Sequence, residues 1–158
     1  SQGRYHMMVI DVESLEFTVH PFGDRIPRYA MTPNGNVLLV DSTGEYDGDQ
    51  APLKLFHTYD GTLQTIDGPP ISLDNYVVSS DSQYAYALDS GLYGINIQEG
   101  IAGRIGLEFT PSNINISPDD ENLYLRESGE SVCVFSLTDE ICRTRLRAEP
   151  LDDEPSPQ

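Results

Sequence analysis

Internal repetition constrains this 158-residue chain more than any other feature, because a chain built of similar segments must fold into similar units. Three segments align: Tyr29-Ala-Met-Thr-Pro-Asn-Gly-Asn-Val-Leu-Leu-Val-Asp41, Tyr76-Val-Val-Ser-Ser-Asp-Ser-Gln-Tyr-Ala-Tyr-Ala-Leu88 and Ile114-Asn-Ile-Ser-Pro-Asp-Asp-Glu-Asn-Leu-Tyr-Leu-Arg126. Each reads as a short apolar strand, a polar turn and a second strand. A second motif follows each of these and also precedes the first: Ile10-Asp-Val-Glu-Ser14, Phe56-His-Thr-Tyr-Asp-Gly61, Ile95-Asn-Ile-Gln-Glu-Gly100 and Phe135-Ser-Leu-Thr-Asp-Glu140. A strand entering a tight turn and leaving as another strand is a hairpin.

The spacing supports the match. From Ile10 to Pro33, Phe56 to Ser80 and Ile95 to Pro118 the offsets are 23, 24 and 23 residues. From Pro33 to Phe56, Ser80 to Ile95 and Pro118 to Phe135 they are 23, 15 and 17, the long one reflecting an insertion at 42–51. The undisturbed unit is 39 or 40 residues with four strands, near the ~40–45 of a propeller blade. The fold class is therefore all-β, about three and a half four-stranded β-propeller blades of what reads as a larger propeller. A β-sandwich is also built of short strands, but it gives no reason for the repeated spacing.

The expected layout is an orphan hairpin at 7–19 and blades at about 28–66, 75–108 and 113–146. Residues 147–158 hold three prolines and four acids and read as a disordered tail. The orphan hairpin lacks two inner strands, so the terminal blades are expected to expose apolar faces that a neighbour would cover.

Asn113-Ile-Asn-Ile-Ser-Pro-Asp-Asp-Glu-Asn-Leu-Tyr-Leu125 followed by Val132-Cys-Val-Phe-Ser-Leu137 resembles the YVTN family of β-propeller repeats. That family pairs a Ser-Pro-Asp-Gly-type turn and a Tyr-Val strand with a later Val-x-Val-Ile-Asp strand. The resemblance covers roughly residues 7–146 and weakens in the second blade, where Ser80-Asp81-Ser82 has no proline. Asp120 stands where the family has a turn glycine, which is tolerable because Asp visits left-handed conformations. The resemblance implies that the 42–51 insertion and the linkers 20–28, 67–74 and 109–112 share one face, where partners bind. It implies no activity, since one architecture serves many.

Charge narrows the partners. With 26 acidic against 9 basic residues the formal net charge is −17, which repels phosphate backbones and anionic membranes. Nucleic acid is not an expected partner, and no run approaches the ~18 apolar residues of a membrane span. A protein partner, or the remaining blades of a larger propeller, is expected instead.

Candidate chemistry is sparse. The insertion carries Glu45, Asp47 and Asp49, with Asp41 at its base, and carboxylates on a Gly-containing loop can supply oxygen ligands to calcium. The pattern departs from the EF-hand template, so a calcium site and a solvated acidic loop both stay open, and no other cofactor is expected. Cys133 and Cys142 lie on the two arms of the last hairpin. With Thr138-Asp139 as the turn, Cys142 faces Phe135 and Cys133 faces Thr144. That diagonal, roughly 7 Å or more, predicts free buried thiols unless a bulge or register shift intervenes. His6, His20 and His57 have no nucleophile or carboxylate partner in sequence, and no hydrolase elbow, phosphate loop or His-Glu-x-x-His is present. Tyr84, Tyr86 and Tyr93 are expected to fill space between blades. A non-catalytic binding module is the leading expectation. A fragment of a lactonase-like propeller hydrolase and a structural or adhesive piece of a larger surface protein are the alternatives.

Overall fold

The computed structural model describes residues 5–23, 28–41, 52–127 and 131–147. Among these described residues fourteen strands run in chain order: β1 (Tyr5–Ile10), β2 (Phe17–Gly23), β3 (Arg28–Met31), β4 (Val37–Asp41), β5 (Lys54–His57), β6 (Leu63–Thr65), β7 (Tyr76–Val78), β8 (Tyr84–Leu88), β9 (Leu92–Asn96), β10 (Ile101–Ile105), β11 (Asn113–Ile116), β12 (Asn122–Arg126), β13 (Ser131–Ser136) and β14 (Ile141–Arg147). They form a two-stranded sheet, β1-β2, and three four-stranded sheets, β3-β4-β5-β6, β7-β8-β9-β10 and β11-β12-β13-β14. Every pairing within these sheets is antiparallel. The expected half blade and three whole blades are thus present. The main difference in extent is at β2, which runs to Gly23 and takes up the start of the expected 20–28 linker.

One turn chemistry is repeated in all three whole blades. Thr32, Ser79 and Ser117 close the first strand, and their hydroxyls donate to Asn34, Asp81 and Asp119 two residues on. The same hydroxyls accept from the backbone N–H groups of Val37, Tyr84 and Asn122, which open the second strand. The third turn residue is left-handed each time: Gly35 (φ 73°), Ser82 (φ 63°) and Asp120 (φ 59°). These short polar side chains mimic backbone groups, so they fix the turn without help from distant contacts.

The second hairpin of each blade also repeats. Backbone bonds Leu15 N to Asp11 O, Gly61 N to His57 O, Gly100 N to Asn96 O and Glu140 N to Ser136 O close four equivalent turns. Leu15, Gly61, Gly100 and Glu140 all have positive φ. By this register β1-β2 corresponds to β5-β6, β9-β10 and β13-β14, which are the outer halves of blades.

The core lies between sheets, as it must when each sheet is apolar on both faces. Leu39, Leu55 and Ala30 of the first blade meet Ala85, Ala87 and Ile95 of the second, with Ile71 and Leu73 from the linker sealing the same cluster. Leu92 with Ile114, Leu123, Leu125, Cys133 and Phe135 forms the next layer, with Tyr86 and Leu88 packed on it. Met7 and Val9 of the half blade cover Leu38, Val40 and Phe56. Full burial of such side chains stabilises by ~1.5–3 kcal/mol each before ordering costs. Tyr86 and Tyr93 do fill between blades, whereas Tyr84 is exposed.

The expectation of free thiols is corrected: Cys133 and Cys142 are disulfide-bonded, with Cα atoms 5.7 Å apart. Cys142 does face Phe135, but Cys133 faces Arg145 and not Thr144, because a bulge interrupts the β13-β14 ladder between Val134 and Phe135. The extra residue is Arg143. An inserted residue bends and twists its strand, and here it replaces the regular diagonal with bonding distance.

Candidate loop face

Strands alternate in direction, so the starts of β3, β7 and β11 and the ends of β4, β8 and β12 share one side of the blades. The linkers are bonded to the loops there. Leu73 N donates to the buried Asp41 carboxylate at 3.0 Å, tying the 67–74 linker to the end of β4. Ser72 N donates to Asp89 at 2.9 Å, tying it also to the β8-β9 loop. Arg28 donates to Ser72 Oγ at 2.8 Å and forms an ion pair with Asp74. Asn75 Nδ2 donates to Ser112 O at 3.2 Å, which carries the connection to the third blade. There Arg145 pairs with Glu127 at 3.0 Å and lies over the Phe109 ring. The result is a polar surface held from blade to blade at residues 28, 41, 72–75, 89, 112 and 127.

Of the sequence-derived cation residues, Asp41 is accounted for by its bond to the Leu73 amide. Glu45, Asp47 and Asp49 lie outside the described residues, as does the whole of the 42–51 insertion. Among the described residues no group of three or more His, Cys, Asp or Glu side chains is arranged to hold a metal ion. His20 bonds Thr18 at 3.1 Å and packs edge-on against Phe56, and His57 packs edge-on against Tyr59. These contacts explain both rings as packing residues.

The opposite side carries the turns. Asn34 N donates to Ser82 Oγ at 3.1 Å, and Ser80 N donates to Asp120 Oδ2 at 2.8 Å, so each turn grips the next blade. The Ser79 and Ser117 hydroxyls hold the Asp81 and Asp119 carboxyls below the usual carboxylate range, helped by the Gln83 and Glu121 amides. Burial pushes the Tyr86 phenol up to about 12, as expected of a ring packed between blades. Sequence reasoning named the linkers but missed Arg28, Ser72, Asp74 and Asp89 as a set. The only signal was their polar character beside strand ends, since their partners are up to 46 residues apart.

No protein-family model and no curated protein matches the chain. Solved structures do. A structure of U3-55K aligns with a TM-score of 0.53 at 15% identity, covering 76% of this chain and 38% of that one. The crystal structure of RRP9 WD40 repeats aligns with a TM-score of 0.55 at 15% identity over the same shares. At this identity the likeness concerns the fold: the chain is a partial β-propeller of repeated four-stranded blades. It matches little more than a third of the length of either propeller.

Proposed function

We propose that the chain is a non-catalytic section of a larger, YVTN-type propeller, and that its loop face binds a protein partner. The observation that supports this reading most is the bonding of Asp41, Ser72, Asp89 and Asn75 across blade boundaries. Loops tied in this way lose little freedom on docking, and pre-organisation of that kind favours association. The net charge of −17 favours a partner with a basic surface, through faster encounter more than through added affinity. A photo-crosslinking residue at Ser112 or Asp74, compared with one at Thr62 in the β5-β6 turn, tests the assignment in cells. Specific adducts from the first two positions are expected. Adducts arising only from Thr62 would move the interface to the turn side.

A further inference from the structure

The half blade leaves a groove of ≈ 1420 Å³ between β1 and the first blade, lined among others by Tyr5, Met7, Val9, Tyr29, Met31 and Leu38. The repeat register says what belongs there. β1 corresponds to β5, β9 and β13, and each of those pairs on both edges, with β4, β8 and β12 on the inner side. Among the described residues β1 pairs with β2 alone, so its inner edge presents backbone groups with no strand partner among them.

Side-chain burial gives the same answer independently. Met31, Val78 and Ile116 are equivalent, each directly before the turn residue Thr32, Ser79 or Ser117. Val78 and Ile116 are packed against inter-blade clusters that include residues of the blade before them. Met31 is 51% exposed. Two positions earlier, Ile114 is 2%, Tyr76 38% and Tyr29 58% exposed, so exposure is greatest where only a half blade precedes. Tyr29 and Met31 are therefore the half of an inter-blade core whose cover is missing. The cover that fits is an inner pair of strands belonging to β1's own blade.

We infer that the groove receives a two-stranded β-hairpin of the type seen at 28–41, 76–88 and 113–126, supplied by repeat sequence outside these 158 residues. Its second strand pairs antiparallel with β1, and its first covers Tyr29 and Met31. A second copy of this chain does not fit the role, because its three hairpins of this type are already paired to β5, β9 and β13. The incoming hairpin carries apolar residues at the equivalents of Val77, Tyr86 and Leu88, which perform this covering one blade further on. Main-chain bonds to the β1 edge would supply affinity and the apolar positions register.

The inference rests on reading the chain as a section of a larger propeller, and the test separates the two. Residues 76–88 are appended through a short flexible linker ahead of Ser1 as a stand-in hairpin, and amide hydrogen exchange is followed across Tyr5–Ile10. Alternate β1 amides are expected to exchange at least tenfold more slowly than in the parent chain. Replacing the appended Val77 and Tyr86 equivalents by Asp, or Met31→Asp in the body of the chain, should abolish that protection. Unchanged exchange at β1 in a fusion that still binds an apolar-surface dye would overturn the groove assignment and leave the larger-propeller reading standing. β1 amides already protected in a dye-silent parent would overturn both.

Discussion

Ser80 and Asp120, 40 residues apart, are joined twice: the backbone N–H of Ser80 and its hydroxyl both donate to Asp120 Oδ2, at 2.8 and 2.5 Å. Asp120 is the left-handed turn residue of the third blade, so one side chain both tolerates an unusual backbone and couples two blades. The prediction is that Asp120→Gly, although it relieves the backbone, destabilises by about 1 kcal/mol, because two bonds to a charged acceptor outweigh the relief. Asp120→Ala should cost ~2–3 kcal/mol, losing the bonds and keeping the strain. Chemical denaturation of the three proteins checks the order, and a stabilised Asp120→Gly would contradict it.

The Cys133–Cys142 bridge closes a loop with a sequence separation of 9 residues. Closing a loop of that size is worth about 2–3 kcal/mol in the chain-entropy model. Cys142→Ala should lower stability by that amount under oxidising conditions and become insensitive to reductant. Parent and variant should then unfold alike once reductant is present. A parent whose denaturation midpoint ignores reductant would show that the bridge contributes nothing.

Gly61 tests the packing of the half blade. A Cβ at this position would lie 2.1 Å from the His20 ring, and φ is +72°. Gly61→Ala should therefore cost about 1–2 kcal/mol and displace His20 from Phe56. The His20 ring proton shifts should move in the variant, and unchanged shifts would contradict the placement of β2 over the first blade.

Acid should act through the turns. Asp81 and Asp119 are held below the ordinary 3.8 chiefly by the Ser79 and Ser117 hydroxyls. A depressed folded-state value means stability present above pH 3.8 and lost as the pH falls below it through the folded values. From neutral pH down to about 4 the opposite trend is expected, since fewer of the 26 acidic groups repel one another. The melting temperature should thus pass through a maximum near pH 4. Ser79→Ala with Ser117→Ala should flatten the acid limb, and an unaltered limb would remove these turns from the account.

Repetition made the strands legible. The Thr/Ser-x-Asn/Asp turns are local, so their chemistry is written in four adjacent residues, and twelve of the fourteen described strands lie where the repeat placed them to within a residue or two at each end, β2 and β10 being the exceptions. β2 runs further, continuing the apolar–polar alternation of Phe17, Thr18, Val19 and His20 as far as Gly23. The Cys133–Cys142 bridge was not legible, since a regular ladder puts the thiols on a diagonal and the bulge at Arg143 has no local signal. The loop-face bonds were hidden for another reason. Arg28 finds Ser72 and Asp41 finds Leu73 only after two blades have packed, so their pairing depends on tertiary geometry.

The central claim is that the chain is an open run of three and a half blades. Its most direct test is the fluorescence of an apolar-surface dye on monomer selected by light scattering. Met8, Ile10, Phe17 and Val19 share the outer face of the half blade, where each is at least half exposed, whereas the equivalents of Ile10, at Phe56, Ile95 and Phe135, are buried. Strong dye binding is expected, largely lost in Ile10→Ser with Phe17→Ser. A compact, dye-silent monomer that unfolds cooperatively would contradict it, because it would show these 158 residues to be a complete fold.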